Sequence, residues 1–545
     1  MRALLIGINT KYIHPSISLY QIKANTNYEC DIYEYIIKDS DDYIIENISN
    51  TLNETKYDVI CFSCYLWNIE KVKNISNIIK QKFPIKIILG GPEVAYDAKY
   101  FLTSFSWIDY IIRGEGESAF NQLLMYLENN NLGIKSVSNL SYIIAGKYQE
   151  NPIVLCDLNK VNLATLMVKD LENQVVYLES NRGCPFHCAY CTASLDNKIR
   201  YFPSDKVIYI LKELMKRKTK TVKFLDRTFN VNKEYMMLIL NTIKEFNICT
   251  TFQFEIVIDR LNTDVIEFIK TLDHKYLRFE VGIQTMNNSI NENVNRYQNI
   301  DKLKENINSL HNTKNIDIHC DLIAGLPGET KEMFKKSFNE TFHLRCKELQ
   351  LGFLKFLRGT KLMSMIDKYS YIYNELPPYE IISNNTMSKE DIEEIKQVEI
   401  SLNYYYNSGR FSKTFNYLFE NNLLSDPYTL FKSLSSNIDN KQLYNLFTHI
   451  DNYFKDIYQS HYDNLHYYLI CDYLLNHKTK PKKWWNNLNK EDRKELYSII
   501  INNNNLINLH DLYQYSVVIK NNDSIFIIIY KDMNPKHYEI KIKTL

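Results

Sequence analysis

Glycine is scarce in this chain, 14 residues of 545. It is the residue that takes positive φ and lets a backbone approach another group closely, so the few positions it holds are informative. Thirteen lie at or before Gly359, and most close a strand-like run. Net charge is also missing: Lys and Arg total 65 against 64 for Asp and Glu, a formal charge of +1. No broad field steers the protein toward nucleic acid or a membrane, and any anionic partner has to be held locally. No run approaches the ~20 apolar residues of a membrane span. The apolar stretch ahead of Asn9 and Lys11 is too short for a signal peptide,. The expectation is a cytoplasmic protein with no membrane partner. The cysteine count, 11, is odd. Cys30, Cys156, Cys249, Cys320 and Cys471 stand alone in apolar stretches, which reads as reduced core thiols and not as a disulfide framework. Tracts such as 501-INNNNLIN-508 read as nucleotide bias and carry no functional weight.

What is present is an alternation of strand and helix. Apolar runs at 2–8, 29–36, 57–65, 86–91 and 109–114 are separated by helical patterns, notably 68–83 and 117–127. Five buried strands with helical crossovers predict an α/β fold that opens with a doubly wound, flavodoxin-like parallel sheet, its ligand beyond the carboxyl ends of the strands. Residues 131–172 read as a connecting region with a small hairpin around Gly146. Alternation then resumes at 175–180, 221–229, 251–257, 276–284, 316–325 and 347–356, predicting a partial (β/α)6 barrel over 173–375 with chemistry at its carboxyl-terminal edge. The remainder, 376–545, is mainly helical and rich in Tyr, Leu and Asn, and it ends in three runs that predict a small antiparallel sheet. Those tyrosines line a pocket or fill a core, and the second reading is favoured.

One cysteine cluster stands apart. In 181-NRGCPFHCAYCTAS-194 the cysteines Cys184, Cys188 and Cys191 follow a strand in C-x3-C-x2-C spacing. Three thiolates on one loop can bind three irons of a cubane and leave the fourth without a protein ligand. Zinc is the alternative, with His187 inside the loop, yet zinc usually takes a fourth Cys or His at regular spacing. The spacing, with aromatic Tyr190 ahead of the third cysteine, resembles the radical S-adenosylmethionine (SAM) superfamily. The resemblance implies a [4Fe–4S] cluster, SAM at its open iron, and SAM contacts from Tyr190, Asp226, Glu280, Gln284 and Gly325. Asp226 sits in 225-LDRT-228, where the superfamily commonly has Gly-Gly-Glu.

Ahead of this core, residues 1–130 resemble the cobalamin (B12)-binding domain found in cobalamin-dependent members of the superfamily. The likeness is carried by 9-NTKYIHPS-16, Ser63 in 62-FSCYLWN-68, 90-GGPEVA-95 and 112-IRGEGE-117. It implies cobalamin contacts from Thr10, Tyr12, His14, Ser63, Gly90, Gly91, Pro92, Glu93 and Glu115. The segment 11-KYIHPS-16 lacks the Asp and Gly of the Asp-x-His-x-x-Gly motif that presents a histidine to cobalt, so the expected state is His-off. Cys61-x-x-Cys64 reads as a pair of core thiols, and no second cluster is expected.

The resemblance implies radical methyl transfer to an unactivated carbon or to phosphorus by way of a 5′-deoxyadenosyl radical, within an oxygen-sensitive, anaerobic chemistry. Its partners would be a small-molecule or peptide substrate and an electron donor of flavodoxin or ferredoxin type. Cobalamin-assisted rearrangement, ring contraction or cyclisation shares every motif. A non-catalytic electron or corrinoid carrier is the reading from another class, disfavoured by the SAM-side residues. A nucleic-acid module is suggested by 479-TKPKKWWNNLNK-490, where lysines flank Trp484 and Trp485, although a hydrophobic anchor is the commoner use of such a motif. Residues 376–545 resemble the C-terminal extension of a group of uncharacterised proteins with the same core, through 377-PPYEII-382. No catalytic residue is assigned from the sequence.

Overall fold

The computed structural model describes the chain apart from residues 129–131, 247–249, 273–276, 312, 314–315, 437–441, 483–487, 504–506 and 542–545. Cys249, Trp484 and Trp485 therefore lie outside the described residues. The chain divides into two compact units, Met1–Lys389 and Glu390–Leu545.

The first unit opens with β1 (Arg2–Asn9), β2 (Glu29–Ile36), β3 (Val59–Ser63), β4 (Lys86–Gly90) and β5 (Tyr110–Ile112). They pair in parallel in the order β2-β1-β3-β4-β5. The reason lies in the side chains: all five residues of β3 are buried, as are seven of the eight in β1, so both faces need a helical cover. On one face Ile44, Ile48, Val72, Ile75 and Phe101 pack over the sheet; on the other, Leu19, Phe120, Leu123 and Leu124 do. Ser40 accepts the Tyr43 N–H and starts the helix Asp41–Glu54, with Asp41 and Asp42 in its first turn,.

The expected connecting region contributes more than a linker. β6 (Leu140–Ile144) and β7 (Lys147–Glu150) form the hairpin anticipated around Gly146, and β6 pairs antiparallel with β5, so the first sheet has seven strands. The edge that β5 would otherwise expose is covered.

The second sheet begins with β8 (Val176–Leu178). A two-residue ladder of β9 (Asn181–Arg182) with β10 (Arg200–Tyr201) then pins the base of the cysteine loop. β11 (Thr221–Phe224), β12 (Thr251–Ile256), β13 (Leu277–Gln284), β14 (Ile316–Ala324) and β15 (Glu348–Phe353) follow, all parallel, in the sequential order of an open half-barrel. In β12 and β13 burial alternates strictly. Phe252, Phe254, Phe279 and Val281 are buried, while Gln253, Glu255, Glu280 and Gln284 are only partly covered. The short pair β16 (Ile372–Tyr373) and β17 (Ile381–Ser383) returns after the barrel, where Ile381 packs on Gly325.

The second unit is mainly helical. Asp472, almost wholly buried, accepts from the backbone N–H groups of Lys413 and Thr414 and from the Thr414 hydroxyl, fixing the start of the helix Ser412–Glu420. Tyr405, Tyr428, Tyr467 and Tyr473 are core residues, so many of its tyrosines serve packing. It ends in an antiparallel sheet of β18 (Ser516–Lys520), β19 (Ser524–Ile529) and β20 (Lys536–Lys541). Among the described residues no helix is long and apolar enough to cross a membrane.

Candidate functional site

The carboxyl edges of β1, β3, β4 and β5 meet the start of the half-barrel around a cavity of ≈ 740 Å³. From the first sheet its wall takes Thr10, His14, Ser63, Gly90, Gly91, Pro92 and Glu115; from the barrel side it takes Tyr177, Gly183, Thr192 and Arg227. Seven of the nine residues expected to face cobalamin therefore share one wall. Tyr12 and Glu93 do not. The Tyr12 side chain is exposed and its hydroxyl donates to Asp170. Glu93 is buried, where it accepts from the Tyr379 hydroxyl and from Arg358, which also pairs with Asp97. Burial raises the Glu93 carboxyl above its ordinary value, against the pull of Tyr379 and Arg358.

Gly91 explains the tight turn after β4. Its φ is +120°, and a Cβ there would overlap the Cys64 carbonyl oxygen, so only glycine fits without displacing backbone. Among the described residues Ser63 Oγ, buried on the cavity wall, has no hydrogen-bond partner, an unusual state for a buried hydroxyl and one that a ligand can relieve. Cys61 and Cys64 are free and buried, and burial pushes both thiols up, as core residues require.

Glu115 lies on the wall, yet its carboxylate is engaged by protein. It accepts from Arg200 at 2.6 Å and from the Cys156 N–H at 2.5 Å, and pairs with Arg182 at 3.3 Å. Burial pushes this carboxyl up, and Arg200 and Arg182 together outweigh it, holding the group below its ordinary value. Arg182 also pairs with Glu117 at 2.5 Å and Glu179 at 2.9 Å. One buried arginine on the barrel side thus ties together three carboxylates, two of them from the first sheet.

The cysteine loop is held by backbone bonds. Cys184 N–H donates to the Asp196 carbonyl, Cys191 N–H to that of Cys188, and Ala189 N–H to that of Val294. Gly183, at φ +90°, turns against the Lys198 carbonyl, where a side chain would overlap. Cys184 and Cys188 are buried and Cys191 is partly so. Buried Arg296 donates to the Cys188 sulfur at 3.8 Å, and the Thr228 hydroxyl lies 3.8 Å from that of Cys184. Cation and hydroxyl beside sulfur suit thiolates that carry a cluster's negative charge. Among the described residues no three His, Cys, Asp or Glu side chains converge as the ligands of a single metal ion.

The residues expected to contact SAM are dispersed and none lines this cavity. Tyr190 is half-buried near Arg296 and Cys188. Gln284 ends β13 with its Oε1 buried and, among the described residues, unpartnered. Glu280 is half-buried and paired with Lys223 at 3.0 Å. The Gly325 carbonyl accepts from the Tyr371 hydroxyl. Asp226 departs most from expectation. It is completely buried, with one oxygen accepting from the N–H groups of Ser180 and Asn181 and the other from the Ser180 hydroxyl. Desolvation raises its carboxyl to about 7 against those hydrogen bonds. Its oxygens serve the β8–β11 junction. Arg182, Arg227, Arg296, Tyr96 and Tyr177 were not singled out from the sequence, because nothing local marks them: Arg182, Arg296 and Tyr177 meet residues distant along the chain, and Arg227 is placed on the wall only by the fold.

Family models match three consecutive stretches: a B12 binding domain over residues 4–124, the radical SAM superfamily over 178–341, and a protein of unknown function (DUF4080) over 367–530. The chain is a radical SAM protein with a B12-binding domain. Relatives of this radical SAM protein include 2-(S-pantetheinyl)-carbapenam-3-carboxylate methyltransferase of Streptantibioticus cattleyicolor, 24% identical over 307 residues, covering 52% of this chain and 44% of that protein. The cobalamin-dependent radical SAM methyltransferase TokK of Streptomyces tokunonensis is 26% identical over 148 residues, 25% of this chain and 22% of its own length. The chain spans about half the length, or less, of these and a further curated methyltransferase relative. Among solved structures, the cobalamin-dependent SAM radical enzyme OxsB superposes with a TM-score of 0.60 at 12% identity, covering 94% of this chain and 83% of that one. The radical SAM methyltransferase TsrM from Kitasatospora setae superposes at 0.56 and 12% identity, covering 67% and 78%. Both likenesses establish the fold of this B12-binding radical SAM protein.

Proposed function

We propose that this radical SAM enzyme is a cobalamin-dependent methyltransferase acting on an unactivated carbon of a small molecule, with electrons delivered by a flavodoxin- or ferredoxin-type donor. The observation that carries the reading is the single cavity to which both the glycine turn of the first sheet and the flanks of the cysteine loop contribute. A [4Fe–4S] cluster on the cysteine loop would, with SAM, supply hydrogen-abstracting chemistry, and cobalamin in the cavity would supply a methyl group.

The chain's own residues supply position and shelter. Cys184, Cys188 and Cys191 would hold the cluster, with Arg296 and Thr228 beside their sulfurs. The Gly90–Gly91 turn lines the cavity and presents backbone without side chains, which would let a bulky ring system approach, and Ser63 Oγ is placed to bond it,. Arg182, bridging Glu115, Glu117 and Glu179, fixes the first sheet against the barrel. Rigid docking of the two domains matters because a misplacement of ~1 Å between reacting groups can cost ~10²-fold in rate.

The test is anaerobic reconstitution of the full chain with iron, sulfide, SAM and methylcobalamin, followed by incubation with a reductant and a small-molecule extract. The expected result is 5′-deoxyadenosine together with an extract component heavier by one methyl group. Formation of 5′-deoxyadenosine with a product of unchanged carbon count would point to rearrangement and overturn the methyltransferase reading.

A further inference from the structure

The walls of the cavity carry six formal charges: Glu115, Glu117, Glu179 and Asp196 against Arg182 and Arg227. The four acids are all engaged. Arg182 takes Glu115, Glu117 and Glu179, and Arg200 takes Glu115 and Asp196, at 2.5–3.3 Å. His14, the one imidazole on the wall among the described residues, bonds to Tyr177. Among the described residues Arg227 is the wall charge with no hydrogen bond or ion pair.

Its placement is rigid. Asp226 before it is locked by Ser180 and Asn181 at the end of β11, while Thr228 and Phe229 after it are buried. The backbone is thus held on both sides while the guanidinium reaches an exposed position on the wall. Its charge bears on Tyr65 and Tyr96 of the first sheet's loops, on Cys191 of the cysteine loop and on Glu255 at the end of β12, so it stands where the two domains and the cysteine loop meet. Glu255 makes neither a hydrogen bond nor an ion pair with it among the described residues. Nearby, Tyr65 and Trp67 stack at 4.5 Å with an interplanar angle of 4°, and both line the cavity. A protein with a net charge of +1 must hold an anion by local means,, and a planar guanidinium fork is matched to carboxylate and phosphate oxygens.

We propose that Arg227 is the substrate-recognition residue of this cavity, receiving a carboxylate or phosphate group, so that the substrate is an organic anion. The assignment rests on the functional reading above and gives it a substrate class. An arginine here is a binding residue: it fixes one end of the substrate while the reacting carbon lies elsewhere in the cavity.

The test uses full-length protein reconstituted with cluster and cobalamin and saturated with SAM, as wild type, Arg227→Lys and Arg227→Gln. Calorimetry would measure phenyl phosphate and benzoate as anionic probes and benzyl alcohol as their neutral counterpart, with SAM and cobalamin affinities measured on the same proteins before each is loaded. The expected result is binding of at least one anionic probe by wild type, weakened at least tenfold in Arg227→Gln and less in Arg227→Lys. SAM and cobalamin affinities should stay within twofold. Equal probe binding by wild type and Arg227→Gln overturns the proposal, as does a comparable loss of SAM affinity, which would assign the arginine to SAM's own carboxylate. Wild type that binds SAM and cobalamin but neither anion overturns the proposal alone. Wild type that binds neither SAM nor cobalamin overturns the functional reading and this inference with it.

Discussion

His14 Nδ1 and the Tyr177 hydroxyl lie 2.7 Å apart, a hydrogen bond from the loop after β1 to the first strand of the half-barrel. Burial, with the charges of Lys11 and Lys223, lowers the imidazole pKa, so at neutral pH the ring is neutral and one nitrogen is committed to Tyr177. A ring tethered in this way, with no carboxylate to polarise it, is a poor axial ligand. His14→Ala is expected to bind cobalamin with an unchanged cob(II)alamin paramagnetic spectrum. Nitrogen hyperfine splitting in wild type that disappears in the variant would be the contrary result.

Asp226 gives a pH signature. Its carboxyl has a folded-state value of about 7 against an ordinary 3.8, so between those values the native state binds more protons than the unfolded state. By linkage, stability from this group is full below the lower value and is lost as pH rises through the upper one. Asp226→Asn keeps an oxygen for the Ser180 and Asn181 N–H groups and carries no charge. Urea midpoints should therefore show the variant gaining on wild type between pH 5 and pH 8. Asp226→Ala strands two buried N–H groups and the Ser180 hydroxyl and should cost about 3 kcal/mol at pH 5.

How much of this was legible in the sequence follows from the range of each interaction. Strands β1 and β3 are buried on both faces and so read as unbroken apolar runs; the barrel strands and the terminal sheet were equally visible. The cysteine loop was legible because its three thiols lie within one short stretch, 184–191. The pairing of β6 with β5 was not, since a hairpin's own pattern does not say which edge it joins. Glu93 and Glu115 stand in the expected loops, yet their partners are Arg358, 265 residues away, and Arg200, 85 residues away. Nothing local separates a ligand-facing glutamate from one that meets an arginine. The same distance hid Arg296 beside Cys188, 108 residues apart.

Gly91 and Gly133 form a matched pair for the glycine turn. A Cβ on Gly91 meets Cys64 backbone at positive φ, whereas one on Gly133 meets nothing within 4 Å. Gly91→Ala should lower unfolding stability by about 2 kcal/mol and weaken cobalamin binding at least tenfold. Gly133→Ala should leave both nearly unchanged. Equal effects in the two variants would remove the glycine turn from the cobalamin site.

Replacement of Cys184, Cys188 and Cys191 together by Ala is expected to abolish iron and sulfide incorporation during anaerobic reconstitution. Backbone bonds and not the thiols hold the loop, so the far-ultraviolet circular dichroism should be preserved. Four irons retained by the triple variant would sink the cluster assignment.

The bonds from Tyr379 and Arg358 to Glu93 also set an order of events during synthesis. The first sheet and its glycine turn leave the ribosome well before residue 358 or 379 is made, an interval on the order of tens of seconds at ~5–20 residues per second. Until then Glu93 is a carboxylate without its partners, although the barrel-side wall of the cavity, Tyr177 to Arg227, is already made. A nascent chain therefore has an open, unlatched turn. The contact that latches the glycine turn closes only after most of the first unit has been translated.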